Sequence, residues 1–170
     1  KNENLVYVAV QGDQYQASKD RGIYRSKDGG KSWEKILYEN EHTGVTGLSM
    51  DRNNPRILYA SLWDHHRQPW QMRSGGDGSG IYKSTDGGDT WNKLTKGLPE
   101  KMGKTDVSVS GANSKVVYVI AEAEKGGLFR SDNGGKSFKR VNSDRVLIAR
   151  SWYYIHVFAD PQDENVVYVL

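Results

Sequence analysis

Ser26-Lys27-Asp28-Gly29-Gly30-Lys31-Ser32-Trp33 is the stretch that decides the fold, because the chain repeats it twice more. The second copy runs from Ser84 to Trp91, and the third runs from Ser131 to Phe138. Recurrence of one short motif at intervals of tens of residues is typical of arrays and propellers built from repeated units. The repeat therefore governs the interpretation of the whole chain.

Each copy has the composition of a tight turn between two short strands. Its paired glycines adopt positive φ without steric cost, and its Asp or Asn side chain accepts hydrogen bonds from nearby backbone N–H groups. The following Ser or Thr completes the local network, and the aromatic residue anchors the turn on the sheet. We expect a structural role for Ser26, Asp28, Gly30, Ser32, Trp33, Ser84, Asp86, Gly88, Thr90, Trp91, Ser131, Asn133, Gly135, Ser137 and Phe138.

A calcium loop is the alternative for these acidic turns, since the EF-hand also combines acidic residues with glycine. That loop places oxygen ligands at its first, third and fifth positions. Here Gly30 and Gly88 occupy the third position counted from Asp28 and Asp86. We therefore expect neither a metal nor a cofactor in this chain.

The pattern Ser-x-Asp-x-Gly-x-Ser/Thr-Trp/Phe resembles the Asp-box, also called the bacterial neuraminidase repeat. The third copy departs from it by carrying Asn133, which keeps the acceptor oxygen. Together with the Gly-Ile-Tyr-Lys/Arg-Ser strands and the lead-in Asp51-Arg52-Asn53-Asn54-Pro55, the motif makes the chain look most like bacterial proteins described as sortilin-like or as Asp-box glycosyl hydrolases. The resemblance implies a bacterial β-propeller that is secreted, periplasmic or on the cell surface, with the box away from any active site.

A second motif is centred on tyrosines that recur every 50 to 59 residues, at Tyr7, Tyr59, Tyr118 and Tyr168. Units of this size, rich in β-branched and aromatic residues, suit four-stranded propeller blades. The expected fold class is all-β, with about three blades of four antiparallel strands that form a segment of a larger propeller.

The predicted units divide the chain at three points. We expect a partial blade without its inner strand over residues 1–43, complete blades over 44–104 and 105–152, and two strands of a further blade over 153–170. The remaining blades of the same propeller are then the expected partners. The alternative is that two copies of the chain close one ring. It is disfavoured because both ends of the chain supply the second strand of a blade, and a closed ring needs only one of them.

Composition excludes several classes of function. The 170 residues contain no cysteine, which excludes disulfides and thiolate zinc sites. The net charge of +3 is spread through interspersed acids and bases, so we expect no nucleic-acid partner. No stretch reaches the roughly 20 apolar residues of a membrane span.

Successive antiparallel strands reverse direction, so their connections alternate between the two faces of the propeller. The Asp-boxes therefore lie on one face and the long connections on the other. Long loops on a rigid scaffold are where binding residues concentrate. In the long connection 63–78, rings for stacking lie beside polar groups for orientation, as sugar or peptide recognition requires. The candidates there are Trp63, Asp64, His65, His66, Arg67, Trp70, Arg73 and Asp77. The alternative is that the tryptophans only hold the loop to its blade and the histidines are solvated.

A second candidate cluster contains Arg150, Trp152, Tyr154 and His156. It leads into an inner strand predicted over 153–160, where alternation would place Tyr154 and His156 on one side. The two clusters lie about two blades apart, so we expect a shared pocket only near the central axis.

Three functions remain open from the sequence. The first is a carbohydrate- or polypeptide-binding module that uses the long-loop face. The second is a glycoside hydrolase of the sialidase or xyloglucanase type, with catalytic carboxylates shared with blades outside this segment. The third is a structural scaffold in a larger assembly. Catalytic residues cannot be assigned, because the arginines and acids of a sialidase site cannot be assembled here.

Overall fold

The computed structural model describes residues 2–170, and these residues contain 14 β-strands in four antiparallel sheets. The first sheet has the order β1 (Val6–Val10), β2 (Gly22–Ser26) and β3 (Glu34–Leu37). Its strands are short and rich in β-branched and aromatic residues, which suits a pleated surface that packs against a neighbour. The first Asp-box joins β2 to β3.

The second sheet is the largest. It contains β4 (Thr43–Met50), β5 (Leu58–Gln68), β7 (Gly80–Ser84) and β8 (Asn92–Leu94) in that order, and β6 (Gln71–Ser74) pairs with the far end of β5. The second Asp-box joins β7 to β8. The β5–β6 hairpin therefore extends beyond the four-stranded part of the sheet.

The third sheet has four strands, and the fourth sheet has two. The third contains β9 (Thr105–Val109), β10 (Val117–Ala121), β11 (Gly127–Ser131) and β12 (Lys139–Asn142). A single 3₁₀ turn, Arg145–Ile148, precedes the fourth sheet among the described residues, and that sheet contains β13 (Val157–Ala159) and β14 (Val167–Val169). The expected all-β fold of antiparallel sheets is confirmed.

The core lies between neighbouring sheets and consists of three apolar clusters. Ile23 of the first sheet packs with Ala60 and Leu62 of the second. Tyr59 of the second sheet joins a cluster with the third, and the third packs on the fourth through residues such as Ile120 and Val157. The sheets are therefore stacked face to face in chain order, as propeller blades are.

The Asp-box turns form the predicted hydrogen-bond network. In the first box, Ser32 donates to Asp28 from its backbone N (2.9 Å) and its hydroxyl (2.5 Å), and Gly30 N donates to Ser26 Oγ at 2.8 Å. Gly29 and Gly30 have φ of 72° and 93°, which only glycine adopts without strain. The hydrogen bonds that Asp28 accepts, first from the Ser32 hydroxyl, then from Ser32 N and the Ser26 hydroxyl, lower its pKa to about 2.

The third box keeps this geometry although it has an amide. Ser137 N donates to Asn133 Oδ1 at 2.9 Å, as the equivalent N–H does to an aspartate elsewhere. The side-chain bond is reversed, because Asn133 Nδ2 donates to Ser137 Oγ at 2.8 Å. Asn133 therefore retains every side-chain hydrogen bond of the turn.

A repeated contact joins the second and third boxes to the sheet before each of them. Tyr7 donates from its hydroxyl to the carbonyl of Gly87 at 2.8 Å, and Tyr59 donates to the carbonyl of Gly134 at 3.0 Å. A cation from the same sheet shares each carbonyl, Arg25 for the first and Lys83 for the second. Tyr7 and Tyr59 therefore link neighbouring sheets.

Two elements differ from the sequence prediction. The connection 63–78 is not a loop, because β5 continues to Gln68 and β6 pairs with it. The inner strand predicted over 153–160 is limited to Val157–Ala159. Residues 151–153 form a turn instead, and the backbone N–H groups of Tyr153 and Tyr154 donate to Arg150 O. Strand alternation therefore does not apply to Tyr154.

Candidate functional site

The β5–β6 hairpin carries most residues of the first predicted cluster. His65 pairs with Ser74 and Gln68 pairs with Gln71, so Pro69 and Trp70 form its tip. Trp70 is 77% exposed, and it has no packing role of the kind that holds a loop to its blade. The hairpin thus presents one large aromatic ring to solvent.

The base of the hairpin is packed, not open. Trp63 is buried, and its Nε1 donates to Ser74 Oγ at 2.9 Å. Its ring stacks on His65 with centroids 4.2 Å apart, and Lys104 Nζ lies 5.4 Å from the Trp63 ring centroid. Trp63 and His65 are thus unavailable for direct ligand contact in this conformation.

His65 is fully buried beside the fully buried Arg21. Burial lowers the pKa of His65 to about 4, and the nearby Arg21 charge acts in the same direction. Arg21 donates to the carbonyl of Gln11 at 2.9 Å and lies 3.3 Å from both His65 ring nitrogens. The arginine, which the sequence did not single out, holds the connection after β1 against the hairpin.

Asp64 and the nearby basic residues are also engaged in structure. Arg73 Nη1 donates to Asp64 Oδ1 at 2.6 Å, and the aspartate is buried. The backbone N of Arg67 donates to Gln14 O at 2.8 Å, while His66 is half-buried on the same strand. The Asp64–Arg73 pair therefore stiffens the hairpin.

An open groove of about 570 Å³ lies between the hairpin base and the third sheet. It belongs to the long-connection face, since its walls are the connections after β6, β8, β10 and β12. The charged lining side chains are Asp77, Lys101, Glu122, Glu124 and Arg145.

Glu122 is the central side chain of this groove. Its Oε2 accepts from Ser74 Oγ at 2.7 Å and from Lys104 N at 2.8 Å. Its Oε1 accepts from Trp152 Nε1 at 2.8 Å. One carboxylate thus ties together the second sheet, the third sheet and the segment that leads into the fourth.

The second predicted cluster meets the groove through Trp152. A smaller cavity of about 200 Å³ is lined by Glu122 and by residues 148–153, which include Arg150. Trp152 is 44% exposed and Tyr153 is 62% exposed, so both rings are accessible next to the carboxylate. Glu122 of the intervening sheet links the two predicted clusters, because both Ser74 of the hairpin and Trp152 donate to it.

Tyr154 and His156 do not line this groove. Tyr154 is exposed, whereas His156 Nδ1 lies 3.1 Å from Asp106 Oδ2. Burial raises the pKa of Asp106, while hydrogen bonds from Val157 N and Val107 N act against the rise. This pair belongs to a separate hollow between the inner strands.

Within residues 2–170, no group of three His, Asp or Glu side chains is placed to hold a metal ion. None of the helical segments in the described part of the chain is both long and apolar enough to cross a membrane.

Glu122 gave no signal in the sequence. It is one acidic residue just after a strand, and its role depends on three partners that are 18 to 48 positions away. The structure brings Asp77, Glu122, Arg145 and Trp152 to one face and keeps Trp70 on the adjoining hairpin.

Comparisons with known proteins identify the repeat. The family model described as BNR/Asp-box repeat matches residues 24–35, which contain the first box. A xyloglucanase from a Paenibacillus species is 30% identical over 131 residues, covering 75% of this chain and 12% of that protein. A vacuolar protein sorting/targeting protein 10 from Colletotrichum graminicola is 28% identical over 87 residues, covering 50% of this chain and 5% of that protein.

The fold is also that of a solved structure. The crystal structure of a GH74 enzyme from Niastella koreensis matches with a TM-score of 0.66 and 22% identity, over 98% of this chain and 25% of that one. The chain thus spans only a small part of the proteins it matches. The chain thus carries the BNR/Asp-box repeat, and its stacked antiparallel sheets have the β-propeller fold.

Proposed function

We propose that this chain binds carbohydrate in the Glu122 groove, as part of an exported bacterial propeller. The observation that carries the proposal is the exposed Trp152 ring held by Glu122 at the edge of an open, polar groove. Aromatic rings stack on the apolar faces of sugars, and fixed polar groups orient the hydroxyls.

The lining of the groove suits a neutral ligand with many hydroxyl groups. Asp77, Glu122 and Glu124 provide acceptors, while Lys101 and Arg145 provide donors, so charges of both signs face the same space. A strongly charged ligand would meet repulsion from one set or the other. A neutral polysaccharide can hydrogen-bond to both sets without charge repulsion.

Two relatives suggest which ligands to test. Xyloglucan is the first, because a relative with 30% identity is a xyloglucanase. A polypeptide is the competing ligand, since another relative is a vacuolar protein sorting/targeting protein. The exposed Tyr153 favours the sugar, because its ring borders the smaller cavity beside Glu122.

A glycoside hydrolase is the second candidate function, because Asp77, Glu122 and Glu124 line one groove. Hydrolysis needs two carboxyls on opposite sides of the scissile bond. Glu122 is poorly suited to either role, since both of its oxygens already accept hydrogen bonds. The arrangement therefore supports recognition more strongly than bond cleavage.

The test measures binding and cleavage in the same sample. The full-length protein is incubated with xyloglucan, and retention on immobilised polysaccharide is compared with the release of reducing ends. Binding without release supports the proposal, while release that is abolished by Asp77→Asn or Glu124→Gln would replace it with the hydrolase. Retention of unrelated polypeptides but not xyloglucan would assign the groove to protein recognition.

A further inference from the structure

Trp63 and Trp152 are joined by an unbroken chain of hydrogen bonds. Trp63 Nε1 donates to Ser74 Oγ at 2.9 Å, and Ser74 Oγ donates to Glu122 Oε2 at 2.7 Å. The other oxygen of Glu122 accepts from Trp152 Nε1 at 2.8 Å. The exposed ring at the groove is therefore connected, through two polar side chains, to a tryptophan buried at the base of the hairpin.

The direction of these bonds follows from what each group can do. An indole nitrogen only donates, and an ionised carboxylate only accepts. The Ser74 hydroxyl is the link that does both, because it accepts from Trp63 and keeps its single hydrogen for Glu122. The Trp63 indole therefore sets the orientation in which Ser74 meets the carboxylate.

The Trp63 end of the chain is held by packing. Its ring is buried, stacks on His65 with centroids 4.2 Å apart, and lies 5.4 Å from Lys104 Nζ. His65 is itself fully buried beside Arg21. A buried ring with such neighbours keeps one rotamer, since protein interiors are close-packed. The position of Trp63 Nε1 is thereby fixed.

Gly103 leaves the space in which the serine and the carboxylate meet. A Cβ at this position would lie 2.2 Å from Glu122 Oε2 and 2.7 Å from Ser74 Oγ. Gly103 is buried, and its backbone N donates to the carbonyl of Glu122 at 2.8 Å. The backbone therefore approaches both side chains closely and limits where the carboxylate can move.

We propose that Ser74 is a positioning residue of the Glu122 groove, which holds the carboxylate in the orientation that fixes the Trp152 ring. This inference rests on the proposed carbohydrate function. It gives Trp63 an indirect role in binding, in place of the direct ligand contact predicted from its residue type. Without the Ser74 hydroxyl, the remaining donor to Glu122 Oε2 among residues 2–170 is Lys104 N, so the carboxylate can rotate and release Trp152.

The alternative is that Ser74 only satisfies the buried N–H of Trp63. Ser79 provides a matched control for this reading, because its Oγ accepts from the backbone N of Asp64 at 2.9 Å and it is buried in the same region of the second sheet. Loss of either serine hydroxyl leaves a donor without its partner and lowers stability. Only the loss of Ser74 should also move Trp152.

Fluorine NMR of the full-length protein labelled with fluorotryptophan tests the positioning role without a ligand. The Trp152 resonance, assigned with Trp152→Phe, should shift or broaden in Ser74→Ala and keep its wild-type position in Ser79→Ala. An unchanged Trp152 resonance in Ser74→Ala, or an equal change in both variants, would overturn the proposal.

Binding of xyloglucan oligosaccharides to the same proteins gives the functional readout. Ser74→Ala should weaken binding by roughly fivefold, the equivalent of one lost hydrogen bond, and Ser79→Ala should not. Wild-type affinity in Ser74→Ala would contradict the positioning role. Failure of the wild-type protein to bind would instead overturn the proposed function, and the fluorine resonance would still decide whether Ser74 positions Trp152.

Discussion

Tyr59 of the second sheet donates its hydroxyl hydrogen to the carbonyl oxygen of Gly134 in the third sheet, at 3.0 Å. The tyrosine is fully buried, and Lys83 Nζ reaches the same carbonyl at 2.7 Å. One Asp-box glycine thus receives two donors from the preceding sheet. The box fixes its own turn and also provides the acceptor that joins two sheets.

Tyr59→Phe should remove this bond with little change in packing. Because Lys83 still satisfies the carbonyl, the loss should be about 1 kcal/mol of unfolding free energy, the usual net value of one hydrogen bond. Urea unfolding measures it, with Tyr15→Phe as the exposed control. Equal stability of the two variants would show that the contact contributes nothing.

The Asp-box should make the protein sensitive to acid. The pKa of Asp28 is about 2 in the folded protein because Ser32 and Ser26 donate to its carboxylate. A lowered folded pKa contributes stability that is present above the unfolded pKa and is lost as the pH falls from about 4 toward 2. Asp28→Asn, which copies the third box, should fold normally at neutral pH and lose less stability over that acid range.

Melting temperatures at pH 7 and pH 3 check the acid prediction. Asp28→Ala is the matched comparison, because it removes the acceptor as well as the charge. It should melt about 2–4 °C lower than Asp28→Asn at neutral pH. Equal melting of the Asn and Ala variants would contradict the role of the acceptor oxygen.

His65 should destabilise the folded protein in moderate acid. Its folded pKa is about 4 because burial disfavours the charged form, while the unfolded value is near 6.5. The unfolded chain therefore binds more protons between these values, and the free energy of unfolding should fall by at most about 3 kcal/mol from pH 6.5 to pH 4. Burial is the largest cause, and the Trp63 carbonyl opposes it; among the nearby charges, Arg21 and Arg73 disfavour protonation and Asp64 favours it.

NMR titration of the His65 ring measures this pKa directly. His65→Phe keeps a ring against Trp63 and should flatten the stability profile between pH 6.5 and pH 4. A His65 pKa near 6.5 in the folded protein would contradict the buried, neutral assignment.

Gly47 should tolerate no side chain. A Cβ there would lie 2.0 Å from Asp106 Oδ1 and 2.7 Å from Ser61 Oγ. Gly47→Ala must displace the buried Asp106 carboxylate, so we expect a loss of about 1–3 kcal/mol. Thermal unfolding measures it, with Gly29→Ala as a contrasting change that strains positive φ but meets only the end of the Asn4 side chain. Wild-type stability of Gly47→Ala would show that the inner strands are not closely packed there.

The turns were predictable from sequence because their chemistry is local. Asp28, Gly30 and Ser32 lie within five positions of one another, so their spacing specifies the hydrogen bonds. The β5–β6 hairpin was not predicted, because its polar residues, such as His65 and Arg73, do not alternate with apolar ones as strand residues usually do. Backbone pairing between β5 and β6 holds the hairpin together. Local propensity could not reveal this.

The candidate site was harder to predict, because its centre is made by distant residues. Trp152 and the hairpin tip residue Trp70 were predicted from their residue type and are exposed. Trp63 and His65 were predicted in the same way but are buried in the base of the hairpin. Glu122 acts through partners on three segments, and no short pattern marks such a residue. Long-range packing, rather than any motif, creates the groove.

The most direct test of the account is isothermal titration of xyloglucan oligosaccharides into wild-type protein, Trp152→Ala and Trp33→Ala. The two tryptophans are equally exposed, at 44%, but Trp33 belongs to an Asp-box and not to the groove. Removal of a stacking ring should weaken binding by roughly tenfold to a hundredfold, since burying a large aromatic side chain contributes about 1.5–3 kcal/mol. The account predicts this loss for Trp152→Ala alone, with circular dichroism unchanged, whereas wild-type affinity in Trp152→Ala or an equal loss in Trp33→Ala would contradict it.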